Sequence, residues 1–159
     1  MKIRLLQIGK THDAYIREGI AEFEKRLSAF TDFTTLTLPA IKEASSLNAS
    51  QVKLKEAKLI LEKIKPEEHL ILLDENGKTH TSETFARRIE NWQNQGARAI
   101  TFIIGGAYGF APEIYQRANG KIALSSMTFS HQMVRLIFVE QLYRAYTIIN
   151  KHPYHNPSS

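Results

Sequence analysis

The sequence predicts an α/β protein built on a largely parallel sheet. Three observations carry that expectation. Apolar runs of strand length alternate with stretches whose apolar residues recur every three and four positions, the pattern of strands joined by helices. One run, His69-Leu70-Ile71-Leu72-Leu73-Asp74, is almost continuously apolar, as a strand covered on both faces must be. Another, Phe102-Ile103-Ile104, ends in Gly105-Gly106-Ala107-Tyr108-Gly109, and Pro112 follows. That reads as a strand, a tight loop and a helix start. In open sheets of this class ligands collect outside the carboxyl ends of the strands. Taken alone, the glycines serve a plain turn equally well.

The elements follow in order. Ile3, Leu5 and Ile8 mark a first strand ending at Gly9, and Asp13 is placed to cap a helix whose apolar face is Ile16, Ile20, Phe23, Leu27 and Phe30. Phe33 to Leu38 predicts a second strand, closed by Pro39. Residues 40–47 read as loop, and Asn48 with Gln51 has capping-box spacing. The next helix should bury Val52, Ala57, Ile60, Leu61 and Ile64 and turn Lys53, Lys55, Glu56, Lys58, Glu62 and Lys63 to water. After the 69–74 strand, Glu75-Asn76-Gly77-Lys78 is turn chemistry. Ser82 can cap a helix burying Phe85, Ile89 and Trp92, which Gly96 stops. A strand over 99–104, a short helix from Pro112 to Ala118 and a strand over 122–124 come next. A last helix is expected over 131–150. Its apolar residues Val134, Ile137, Phe138, Leu142, Ala145 and Ile149 cover more than one side, which predicts a dimer contact.

Composition narrows the class of protein. The 159 residues, 43% hydrophobic and 23% charged, suit one domain over 1–159 with a packed core. Without cysteine there are no disulfides or thiolate metal sites. The charged N-terminus and the lack of any bilayer-length apolar run point to a cytoplasmic protein with no membrane partner. A net charge of +5, from 21 Lys and Arg against 16 Asp and Glu, favours a polyanionic partner, RNA first. Lys2, Arg4, Lys10, Lys25, Arg26, Arg87, Arg88 and Arg135 are available for phosphate.

Loops after Leu73, Ile104 and Leu124 would emerge on one edge of a parallel sheet, and that convergence favours a ligand site. Phosphate-cradling and dinucleotide glycine motifs are missing. His152 and His155 lack further ligands near them in sequence, so no metal is expected. Ser125 and Ser126 have no nucleophile elbow. What remains is a backbone-lined apolar pocket suited to a purine ring.

Five stretches then share one resemblance: Phe102 through Gly109, Leu124-Ser125-Ser126-Met127-Thr128-Phe129-Ser130-His131, Val134-Arg135-Leu136, Glu140-Gln141-Leu142-Tyr143-Arg144-Ala145 and His152-Pro153-Tyr154-His155. In this order they closely resemble the large-subunit ribosomal RNA methyltransferase H family, a minimal branch of the SPOUT methyltransferases, along the whole chain. The resemblance implies a homodimer, a C-terminal trefoil knot, and methyl transfer from S-adenosylmethionine to N3 of a pseudouridine in 23S rRNA of assembled ribosomes. It places the cofactor on Leu73, Gly105, Leu124, Ser125, Ser126, Met127, Thr128 and Phe129. It offers His131, Arg144, Tyr154 and His155, the last two on a tail over 152–159, for proton removal and for contact with the RNA. Ser130 replaces the family's usual proline, which should loosen the loop before His131. The tail runs on as Asn156-Pro157-Ser158-Ser159, past the family's usual end. The rival expectation is a basic dimer that binds ribosomes without catalysis.

Overall fold

A computed structural model describes residues 1–156. The last three residues of the expected tail lie outside the described residues. Five strands form one sheet: β1 (Lys2–Ile8), β2 (Asp32–Leu38), β3 (His69–Thr79), β4 (Ala99–Ile104) and β5 (Gly120–Ala123). The order is β2-β1-β4-β3-β5 and every pairing is parallel. The helices are α1 (Ala14–Leu27), α2 (Ala49–Glu62), α3 (Ser82–Asn94), α4 (Pro112–Arg117) and α5 (Met133–Ile149).

Alternation along the strands divides the core in two. Ile3, Leu5, Phe102 and Ile104 face α1, α3 and α5 through Leu27, Phe85, Ile89 and Phe138. Leu6, Ile8, Leu72 and Ile103 face α2 and α4 through Ala57, Ile60 and Ile114. Because the strands are parallel, the loops after β1, β3, β4 and β5 all leave from one edge.

Several local expectations are corrected. Residues 75–78 do not end β3. The strand continues through them to Thr79, with a register shift against β5 between Leu73 and Lys78. Gly77 makes this possible, since a Cβ there would lie 2.8 Å from the backbone N and C of Ile122. Thr81, one residue earlier than expected, caps α3 by accepting from the Thr84 N–H at 3.1 Å. On α2, Leu61 is exposed, whereas Glu56 is only 7% exposed.

The last helix begins at Met133, two residues after His131, and Ser130 starts its first turn. Its Oγ accepts from the Met133 N–H at 3.0 Å and its carbonyl from the Val134 N–H at 3.0 Å. Serine at 130 therefore anchors the segment it was expected to loosen. The breadth of apolar surface on α5 is largely accounted for within one chain, because the helix packs on both α1 and α3. Arg135 is likewise unavailable to phosphate. It is 1% exposed. Its Nη2 donates to the Ile8 carbonyl at 2.7 Å, and its Nη1 to the Gly9 carbonyl at 2.9 Å and to Thr11 Oγ1 at 3.0 Å. Burial pulls its pKa down. Its structural task is to tie the start of α5 to the end of β1.

Candidate active site

The three strand-end loops do converge. They line a cleft of about 360 Å³ at the carboxyl edge of the sheet. Leu73, Asp74 and Glu75 come from β3; Ile104, Gly105, Gly106, Ala107, Gly109 and Phe110 from the end of β4 and its loop. Leu124, Ser125, Met127, Thr128, Phe129, Ser130 and His131 follow β5, and Val134 closes the wall from α5. Of the eight residues expected to hold a cofactor, seven line this cleft. Ser126, in the same loop, is exposed and does not line it.

Each wall has a local cause. The glycine loop is a tight turn in which the Gly109 N–H donates to the Gly106 carbonyl at 3.1 Å and Gly109 adopts φ +83°. A Cβ on Gly105 would stand 3.1 Å from the Phe110 ring, so glycine lets Phe110 seal the floor. In the third loop the Met127 N–H donates to Ser125 Oγ at 2.9 Å, and Thr128 Oγ1 reaches Glu75 Oε2 at 3.3 Å. Met127 is 74% exposed, an apolar side chain at the cleft mouth. On the β3 side Asp74 accepts a short hydrogen bond from the Tyr115 hydroxyl and another from the Asn76 N–H at 3.1 Å. Burial, with help from that carboxylate, pushes the Tyr115 hydroxyl pKa up to about 12. The cleft thus mixes apolar walls, from Leu73, Ile104, Phe110, Leu124 and Val134, with polar groups, and the carboxylates Asp74 and Glu75 belong to its lining.

The other candidates separate into two places. His131 is exposed at the cleft. Arg144, Tyr154 and His155 form a second cluster near the far end of α5. Arg144 Nε donates to Glu140 Oε1 at 3.1 Å, and its Nη1 lies 3.1 Å from His155 Nδ1. Its guanidinium stands 4.8 Å from the centre of the Tyr154 ring. The Tyr154 hydroxyl donates to Glu140 Oε1 at 3.1 Å, and His155 Nε2 lies 2.8 Å from Glu83 Oε1 at the start of α3. Burial first, and then the Glu140 carboxylate, raise the Tyr154 pKa. In this arrangement that hydroxyl is a donor, its acceptor being Glu140 Oε1.

The tail is built onto the fold. Lys151 turns the chain at φ +56°, and the His152 N–H donates to the Thr147 carbonyl at 2.8 Å. Tyr154 then packs edge-on against Tyr143 at 4.8 Å. The residues that complete both places and were not expected as site residues include Asp74, Glu75, Phe110, Val134 and Glu83. Asp74 and Glu75 carried a signal, standing directly after an apolar strand, and Val134 carried one in the stretch Val134-Arg135-Leu136. Glu83 meets His155 across 72 positions, which no spacing rule reaches.

Known families bear on this arrangement. The family described as a predicted SPOUT methyltransferase matches residues 1–155. Ribosomal RNA large subunit methyltransferase H of Flavobacterium johnsoniae is 48% identical over 156 residues, covering 98% of this chain and 99% of the relative. The protein of the same name from Cytophaga hutchinsonii is 49% identical, over 98% of this chain and 100% of its own. That of Exiguobacterium sibiricum is 42% identical over 158 residues.

Proposed function

The chain belongs to the SPOUT methyltransferase family, and from that premise we propose that it methylates 23S rRNA, at N3 of a pseudouridine in assembled ribosomes, with S-adenosylmethionine as donor. The observation that carries this reading is the cleft made where the three loops meet. Its size lies in the range of small-molecule sites, roughly 300–1,000 Å³. Leu73, Ile104, Leu124 and Val134 offer apolar faces to an adenine, and the carboxylates of Asp74 and Glu75 suit a ligand carrying positive charge. The bound cofactor supplies a methyl group already activated on a sulfonium sulfur.

The chain's residues then have two tasks, alignment and help in removing the N3 proton. Gly105, Phe110 and the 124–129 loop fix the donor, so that approach of the acceptor nitrogen becomes effectively unimolecular. A protonated imide nitrogen is a poor nucleophile, and its proton must leave as the N–C bond forms and the S–C bond breaks. In this reading His131, which lines the cleft, accepts it, and the Arg144 guanidinium favours the anionic base or holds an adjacent phosphate. Arg144 follows Met133 by eleven positions along α5, about 16 Å of helix at 1.5 Å per residue. Within one chain the cleft and the Arg144 cluster therefore stand apart. A homodimer that sets the cleft of one protomer against the cluster of its partner brings them together. The trefoil knot belongs to the same reading: β5 pairs with β3 rather than with its predecessor β4 before the chain returns through α5.

Mass spectrometry of rRNA from a deletion strain, with and without the gene restored, tests the reaction. A methylated pseudouridine should vanish and return, and an unchanged pattern would refute the assignment. The shared site predicts complementation. Mixing equal amounts of inactive Gly105→Val and inactive Arg144→Ala proteins, after dissociation and reassociation, should restore roughly one quarter of full activity, since half the dimers then hold one intact site of two. No recovery in reassociated dimers would place cleft and cluster in separate sites.

A further inference from the structure

Glu56 is a buried carboxylate that the proposed reaction does not use. It sits on α2 at 7% exposure, on a helix whose other charged residues mostly face water. No ion pair or hydrogen bond to it is found among the described residues, and burial alone raises its pKa above the ordinary carboxylate value. A carboxylate with so little exposure and no protein partner is costly, and each such group in a folded protein calls for a reason.

Its position supplies one. The carboxylate occupies the space where a side chain on Gly106 would begin. A Cβ there would lie 2.8 Å from Oε1, 2.9 Å from Cδ, and closer still to Oε2. Gly106 is itself part of the cleft wall. Only the backbone of a glycine separates this carboxylate from the space assigned to the cofactor. Across so short a span a negative charge acts on a positive one. Asp74 and Glu75 differ from it, since both belong to the cleft lining and both already accept hydrogen bonds.

We propose that Glu56 is the specificity-determining charge behind the glycine loop, favouring a cationic sulfonium cofactor over the neutral thioether left after methyl transfer. The inference rests on the cofactor reading above. It assigns Glu56 a role in exchanging spent for fresh cofactor: the ligand loses its positive charge on reaction, and with it the attraction of this carboxylate.

The test is calorimetric titration of the intact protein with S-adenosylmethionine and, separately, S-adenosylhomocysteine. Glu56→Gln keeps the size and removes the charge, and loss of an unpaired buried charge should leave the melting temperature equal or higher. Affinity for the sulfonium form should fall about tenfold, and affinity for the thioether form by less than about twofold. Gly106→Ala, which displaces the carboxylate, should narrow the same preference in an otherwise native sequence. Equal losses for both ligands would reduce Glu56 to a packing residue and overturn the proposal, as would an unchanged preference in both variants. Binding of neither ligand by the unaltered protein would instead overturn the cofactor reading, and this inference with it.

Discussion

Arg144→Ala should lower methylation of ribosomes by about 10²–10³ while leaving affinity for S-adenosylmethionine unchanged. The magnitude is that of removing one preorganised electrostatic group from a reaction centre. Arg144 is the hub of its cluster. It holds Glu140, lies against His155 Nδ1 and covers the Tyr154 ring. Without it, Glu140 keeps only the Tyr154 hydroxyl and Gln141 Nε2 as donors, and His155 keeps Glu83. The cleft proposed for the cofactor lies three turns of α5 away and shares none of these side chains, so cofactor binding should not respond. Arg144→Lys separates charge from shape. An ammonium retains the charge but cannot donate along two directions from a planar fork or cover an aromatic ring in the same way. It should therefore recover only a small part of the rate. Single-turnover methylation with saturating cofactor reads the first effect, and calorimetry the second. Full activity of the alanine variant would remove the cluster from the reaction.

The parts of this molecule that were legible in sequence are those fixed by local chemistry. Asn48 and Gln51 form the capping box their spacing announced, with reciprocal bonds of 2.8 and 2.9 Å. Gly96 stops α3 in the left-handed conformation at φ +81°, and Phe85, Ile89 and Trp92 face the core. Continuous apolarity in β3 and β4 signalled strands buried on both faces. Parallel strands then oblige their loops to share an edge, so the cleft followed from the same pattern. Glu56 was illegible for the converse reason. Periodicity assigns a carboxylate in a lysine-rich helix to water, and only the glycine loop arriving from 50 residues downstream encloses it. Arg135 was misplaced on the same rule, since its acceptors are carbonyls at the end of β1. The strand order and the meeting of Glu83 with His155 are long-range facts. The breadth of apolar surface on α5 could not say which neighbour covers it.

Gly77→Ala should cost about 3 kcal/mol of stability, at the upper end of what overpacking a well-filled interior does. Glycine at 77 has no unusual backbone angle to excuse it. The constraint is space: an added Cβ would meet the N and C of Ile122 at 2.8 Å and the N of Ala123 at 2.9 Å. Those are backbone atoms of β5, so no rotamer change relieves the clash and the strands must separate. For a domain of this size such a loss lowers the melting temperature by roughly 6–12 °C. The displacement continues into the site, because Ala123 leads directly into Leu124 and the loop that walls the cleft. Cofactor affinity should therefore fall in parallel with stability. Gly96→Ala is the informative control. It carries the opposite defect, a left-handed φ with no atom within 4 Å of the added carbon, and should cost about 1–2 kcal/mol with cofactor affinity intact. If the two variants melt alike and both bind normally, close approach of β3 to β5 does not set the height of the 124–129 loop. If only Gly77→Ala loses the cofactor, the extension of β3 through what had the chemistry of a turn is what positions that loop.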